Sequence, residues 1–339
     1  MRGLINAKTL IGVAISLVCL WLALRDVPLG DLGQAMAGGN YVWLIPAIGL
    51  QLLSVLARAQ RWAVLLGQLG RLADAFWAEG IGYLFTNIFP LRLGEPARVL
   101  VMSDRCKLPF FQVAGSAVLE RLLDVATMVV VLLLVLPWMT VPTLVARAGM
   151  TFAALVLLAL VVVVLLARFG THSEALLIAI GSRFRFLPID RLVIRWRELV
   201  VGLARLTELK VLLPACGWSA ITWALTIGVY WCAMHAFAPR ATAIEASFMV
   251  VALAFAIAVP SSPGFIGVFQ LIGQQALVIP FGAKYSMTEA LAITVTAYLT
   301  YYLFSTTLGV VGLARLGQSF ANVGRAALSR PAIDAEVGG

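Results

Sequence analysis

Apolar residues run through this chain in long blocks separated by short polar stretches. They do not alternate with period two, and few blocks show a one-sided helical stripe. Blocks of this length point to membrane-spanning helices, which need about 20 apolar residues each. Six full spans are predicted: about Leu10–Leu24, Tyr41–Leu56, Gln112–Leu136, Met150–Ala167, Val211–Phe237 and Thr288–Leu313. Two further apolar stretches are interrupted, at Phe76–Val101 and Ala243–Phe281. Each carries prolines and closely spaced glycines where an unbroken helix would otherwise run. Freed backbone groups need partners in lipid, so such breaks belong beside a polar cavity. Polar residues 25–40 and the segment bearing Arg58, Arg61 and Arg71 read as loops.

Composition agrees with this picture. Of 339 residues, 62% are hydrophobic and only 12% charged, with mean hydropathy +0.98. Soluble domains carry about 25% charged residues. The expected fold is an all-α polytopic membrane protein: six full spans plus two broken or re-entrant helix pairs, in one membrane domain over 1–318. A disordered tail is expected over 319–339. Each break holds a Pro, closely spaced Gly and a polar residue, as in the interrupted helices of inverted-repeat transporters.

Charge sets the expected orientation. The net charge of +9 is read as cytoplasmic loops facing anionic headgroups, not as a nucleic-acid surface. Eight Lys/Arg fall between 168 and 210, so that linker is cytoplasmic and both termini lie on the same side. Within it, Ile189, Leu192, Val193, Trp196, Leu199 and Val200 recur at helical spacing. This is an amphipathic helix, lying either on the inner membrane surface or packed on the bundle. Basic residues flank the first break and are sparse around the second, so the two enter from opposite faces.

Candidate chemistry lies at the breaks and in one turn. Leu93-Gly94-Glu95-Pro96 reads as a helix start, because proline suits a first helical turn. Its free N–H groups attract anions, and Asn87, Arg92 and Arg98 add donors. Alternatively, Arg92 and Arg98 reach to the inner interface. Glu120, Arg121 and Asp124 occupy successive turns of one span, with Asp124 about 18 Å beyond Gln112 at 1.5 Å per residue. Ionisable groups at that depth are functional candidates, or an ion-pair lock between helices. In the second break, Ser261, Ser262, Gly264, Gly267 and Gln270 offer hydroxyls and close backbone approach. Tyr298 and Tyr301 face either a cavity or aromatic packing.

Nothing suggests catalysis, a metal or a cofactor. No P-loop, nucleotide fingerprint or nucleophile–base set is present. The cysteines Cys19, Cys106, Cys216 and Cys232 form no C-x-x-C pair, and His172 and His235 are the only histidines.

Three segments together resemble the lysylphosphatidylglycerol synthase transmembrane, or flippase-like, family. They are Asn87-Ile-Phe-Pro-Leu-Arg-Leu-Gly-Glu-Pro-Ala-Arg98, Glu120-Arg-Leu-Leu-Asp124 and Pro260-Ser-Ser-Pro-Gly-Phe-Ile-Gly-Val-Phe-Gln270. The resemblance implies a bacterial inner-membrane domain that moves an aminoacylated or related lipid between leaflets. It does not imply synthase activity for this chain. The second motif commonly ends in Glu in the family, where Gln270 stands here. The expected function is translocation or binding of an anionic or zwitterionic lipid. The residues assigned to it are Asn87, Arg92, Glu95, Arg98, Glu120, Arg121, Asp124, Ser261, Ser262, Gly264, Gly267 and Gln270. The rival is a non-catalytic subunit presenting lipid to a partner glycosyl- or acyltransferase. A transporter of small solutes is the third reading.

Overall fold

The computed structural model describes residues 7–89, 93–139, 189–256 and 262–327, together with short stretches of 150–179. Among these residues all regular structure is helical. The span expected over Met150–Ala167 lies largely outside the described residues, as do Pro90, Arg92, Pro260 and Ser261.

Helices α1 (Ala7–Leu24) and α2 (Leu29–Ala37) are bent by 79° at Pro28. The segment expected as a polar loop is therefore half helix. Helix α3 (Leu44–Leu66), entered through a tight turn at Tyr41–Trp43, continues ten residues past the expected end at Leu56. It stops at Gly67, whose positive φ of 69° lets Gln68 N–H reach back to Ala63 O. This corrects the loop assignment of Arg58 and Arg61: both lie inside α3 and are buried.

Helix α4 (Leu72–Ile88) ends at extended Phe89, the residue before Pro90. A residue before proline is pushed out of the helical region, so the ending is local chemistry. Helix α5 (Gly94–Cys106) begins at Gly94, and α6 (Phe110–Val135) follows after Pro109. The linker helix α7 (Ile189–Ala204) packs on α6. A Cβ on Gly202 would stand 2.3 Å from Gln112 O, so the two backbones touch. Packing on the bundle, one of the two placements open for this amphipathic helix, is seen in its contact with α6.

The second half comprises α8 (Leu209–His235), α9 (Ala243–Ala256), a turn at Pro263–Phe265, α10 (Val268–Phe281) and α11 (Met287–Arg315). Helix α8 runs along α3, and α11 along α4. Gly309 sits against Gly80: a Cβ there would lie 2.4 Å from Gly80 O. Small residues allow this approach inside membranes. Residues 320–327, expected to be tail, form a helix α12. Its Phe320 ring lies against Phe85 and Phe89 at 5.0 and 5.4 Å, close to the first break.

Among the described residues four helical segments are long and apolar enough to cross a membrane: Tyr41–Leu66, Leu209–His235, Pro263–Phe281 and Met287–Arg315. The bent α1–α2 pair makes a fifth if counted as one span. The expectation of six full spans is thus met only in part. Helix α6 has 26 residues, enough for the distance, but its centre carries three charges. The second arm of the second interruption (Pro263–Phe281) is itself long enough to span.

Candidate functional site

Four helices bring eight charged side chains to one place. α3 contributes Arg58 and Arg61, three residues apart and so on one face. α4 contributes Glu79. α5 contributes Glu95 and Arg98, again three apart. α6 contributes Glu120, Arg121 and Asp124. Among the described residues, four guanidinium groups meet four carboxylates, and their formal charges sum to zero.

Asp124 is held by both α3 arginines. Its Oδ1 accepts from Arg61 Nη1 at 2.7 Å and its Oδ2 from Arg58 Nη1 at 3.0 Å. Trp223 of α8 donates its indole N–H to Oδ1 at 3.0 Å. Glu120 bridges the helices: Oε1 accepts from Arg61 Nη2 at 2.9 Å and Oε2 from Arg98 Nη1 at 2.8 Å. Arg98 also donates to Glu79, and its Nη2 reaches Glu95 Oε2 at 2.7 Å. Its guanidinium stacks 4.7 Å from the centre of the Trp62 ring. Trp62 is fixed in turn by its N–H to Ser116 Oγ at 3.0 Å. Isolated charges at this depth would be costly, and only such dense pairing makes them tolerable.

The cluster is sealed on one side and open on the other. The side chains of Arg61 and Glu120 are fully buried, and those of Arg98 and Glu79 nearly so. Arg121 and Glu95, paired at 3.1 Å, keep 45% and 44% of their side chains exposed. Arg121 also reaches back to Asp124 Oδ2 at 3.1 Å. The open rim is therefore one cation beside one anion, anchored to a closed ionic core.

Local backbone explains the geometry of α5. A Cβ on Gly94 would stand 2.1 Å from Gly82 O and 2.0 Å from Thr86 Oγ1. Only glycine lets α5 start against α4, which in turn brings Arg98 within reach of Glu79.

The other residues singled out from the sequence lie elsewhere. Asn87 turns to α11 and donates its amide to Ser305 Oγ at 2.9 Å and Thr306 Oγ1 at 3.0 Å. Ser262 N–H donates to Ser16 Oγ on α1 at 2.9 Å. Gly267 has φ 85°, and a Cβ there would lie 2.1 Å from Ser16 O. Gln270 Oε1 accepts from Gly267 N–H at 2.7 Å and so serves its own turn. Gly264, with φ 69°, lies against Tyr298, Tyr302 and the Asn87 carbonyl. The two broken segments therefore approach each other at Asn87 and Gly264. The charged groups are not shared between them.

Sequence reasoning missed Arg58, Arg61 and Glu79. The signals were present: an i, i+3 arginine pair followed by Trp62, and a lone carboxylate within the apolar run Phe76–Leu84.

A search of curated proteins and a search of solved structures each found no match. The family model described as the lysylphosphatidylglycerol synthase transmembrane region matches residues 9–309, nearly the whole of the helical bundle. This multi-pass membrane chain, with its charged cluster built from four helices, belongs to the lysylphosphatidylglycerol synthase transmembrane region family.

Proposed function

We propose that the chain translocates a phospholipid or glycolipid between leaflets of a bacterial inner membrane, with both termini cytoplasmic. The headgroup enters at the Arg121–Glu95 rim while the tails stay in hydrocarbon. The half-open ion pair on a sealed ionic core is the observation that carries this reading. A buried pair is a poor way to gain stability. A pair with one accessible cation and one accessible anion suits a headgroup bearing phosphate, amine or both. Arg121 receives the phosphate and Glu95 an ammonium, and each is released from the other as the headgroup binds. Arg58, Arg61, Arg98, Glu79, Glu120 and Asp124 hold that rim in place. Arg92, three residues before Glu95 in sequence, adds a further cation in this reading. Ser261, Ser262, Gly264, Gly267 and Gln270 shape the opposite break, and the two hairpins enter from opposite faces as an inverted repeat. The approach of Gly264 to Asn87 supports that arrangement. The chain makes and breaks no covalent bond in this mechanism.

A leaflet-resolved assay in proteoliposomes tests it. Wild type is expected to move a headgroup-labelled phospholipid between leaflets, and Arg121→Gln with Glu95→Gln to abolish the movement without loss of folded protein. Equal movement by both proteins would remove the rim from the mechanism.

The second reading, a subunit that presents lipid to a lipid-modifying enzyme, is favoured by α7. Ile194 and Val201 stay 56% and 53% exposed on its outer side, where a partner can dock. Stable co-purification of such an enzyme, with no lipid movement by the chain alone, would select it.

A further inference from the structure

A groove of about 580 Å³ runs between α2, α3, α4 and α11, within the range of about 300–1,000 Å³ usual for ligand sites. Helix α11 supplies one face of it, from Thr296 through Leu303 to Val311. Leu44 and Ile48 form the α3 wall, and Trp77 comes from α4. A Cβ on Gly312 would stand 2.9 Å from Trp77 O, so Trp77 belongs to the Val311 end. Helix α3 joins α4 through a short turn and runs back along it, which puts Leu44 toward the Thr296 end. Among the described residues no charged side chain lines the groove. Trp77 and Glu79, two residues apart, point to different faces of α4, so the groove is separate from the ionic cluster.

Shape narrows what can occupy it. The α11 face from Thr296 to Val311 is about 22 Å long at 1.5 Å per residue. Spread over that length, 580 Å³ leaves a cross-section of roughly 26 Å², against about 80 Å² for a helix 10 Å across. A second helix is too wide, and a single hydrocarbon chain is not. The groove also opens outward: Leu303 is 64% exposed, and Leu299 and Ile48 are exposed beside it. Helices α3 and α11 are long and apolar enough to cross a membrane, so that opening faces acyl chains.

One polar group adds chemistry. Thr294 and Thr300 of α11 return their hydroxyls to the carbonyls of Ala290 and Thr296, at 2.7 and 2.8 Å. Threonine inside a helix is commonly satisfied this way. Thr296 is not. It is 4% exposed, it lines the groove, and its buried hydroxyl has no partner among the described residues. A free donor is costly in hydrocarbon, where no water replaces the missing acceptor. A donor near one end of an uncharged slot matches an ester carbonyl followed by its chain.

We propose that this groove seats one acyl chain of a membrane glycerolipid, with the ester carbonyl accepting from Thr296 Oγ1. The site lies apart from the charged rim and stands whether or not lipid is moved between leaflets.

The test labels purified protein in detergent with phosphatidylglycerol that carries a photoactivatable diazirine near the end of one acyl chain. Labelling is expected to concentrate on Leu299 and Leu303 and to spare Val310, which is comparably exposed but outside the groove. Equal labelling of all three would mark ordinary bilayer contact and overturn the site. Cross-linking of two copies through Leu303→Cys would put a second chain there and overturn the acyl chain. The carbonyl contact is read by competition between dioleoylphosphatidylglycerol and its ether-linked analogue, which keeps headgroup and chains but lacks the carbonyls. The ester should compete roughly fivefold better for wild type, the worth of one hydrogen bond between neutral groups. That preference should vanish in Thr296→Val, whose lipid-free melting temperature should not fall, since only an unpartnered hydroxyl is lost. No ester preference in wild type, or the same preference in Thr296→Val, would overturn the contact. Both competitors carry one headgroup, so failure of the translocation reading leaves this comparison unchanged.

Discussion

The two broken segments solve one physical problem by opposite means. The first, around Pro90, is followed by a helix whose Glu95 and Arg98 join charges from three other helices. The second, around Pro263, carries no charge. Its Ser262 and Gly267 lean on Ser16 of α1, and Gln270 caps its own turn. Both must satisfy freed backbone in a membrane. The first does so beside an ionic core, the second by short polar contacts and close backbone packing. The difference bears on where the proposed site lies. Neutral contacts among Ser, Gly and Gln suffice to hold a break, so holding a break does not require eight charges. The ionic cluster exceeds what holding a break needs, and this excess is why the proposed reading puts the headgroup at its open rim.

The sharpest way to break this contrast is to unpair the ionic core. Arg61→Ala leaves Glu120 and Asp124 short of their buried partner and is expected to destabilise by about 3–5 kcal/mol. A denaturation midpoint in detergent checks it. A loss near zero would mean water reaches the core. The comparable blow to the second break is Gly267→Ala. There φ is 85° and a Cβ would lie 2.1 Å from Ser16 O. We expect about 1–3 kcal/mol from the strained backbone, with α1 loosened from α10. Faster protease cleavage near Pro28 would report that loosening. Gln270→Ala removes one capping acceptor and should cost about 1 kcal/mol. A larger loss would show that Gln270 also holds contacts beyond its own turn. Smallest in stability is Arg121→Gln, expected to change it by roughly 0–1 kcal/mol because the pair is half exposed. Its effect should fall on lipid movement instead. A variant that alters movement strongly and stability weakly is the signature that separates rim from core.

Much of the fold was legible because it rests on local chemistry. Pro90 and Pro263 mark breaks wherever the chain goes. Gly94-Glu95-Pro96 does begin a helix, and Glu120, Arg121 and Asp124 do lie in successive turns of one helix. The errors have a common cause. The apolar block ends near Leu56, but α3 runs on to Leu66 with Arg58 and Arg61 in it. Hydropathy measures what lipid tolerates, and a helix facing oppositely charged neighbours is not bound by it. Glu79 stands out in its apolar run, but nothing near it in sequence shows what it pairs with. Its partner Arg98 lies on the next helix. The helix over 320–327 escaped notice for the same reason, since the rings that receive Phe320 are Phe85 and Phe89, far away in sequence.

By itself the sequence determined a membrane-embedded helical protein, two breaks, and charges at a depth where charges need a reason. Those follow from residue type and spacing, which act within a turn or two of helix. Only the tertiary structure decided which charges meet, that the core is closed, and that Arg121 and Glu95 stand at its rim among the described residues. Pairing energies depend on distance and on exclusion of water, and both are set by helices packed from separate parts of the chain. The close contacts at Gly82–Gly94 and Gly80–Gly309 bring those helices near enough for the cluster to form.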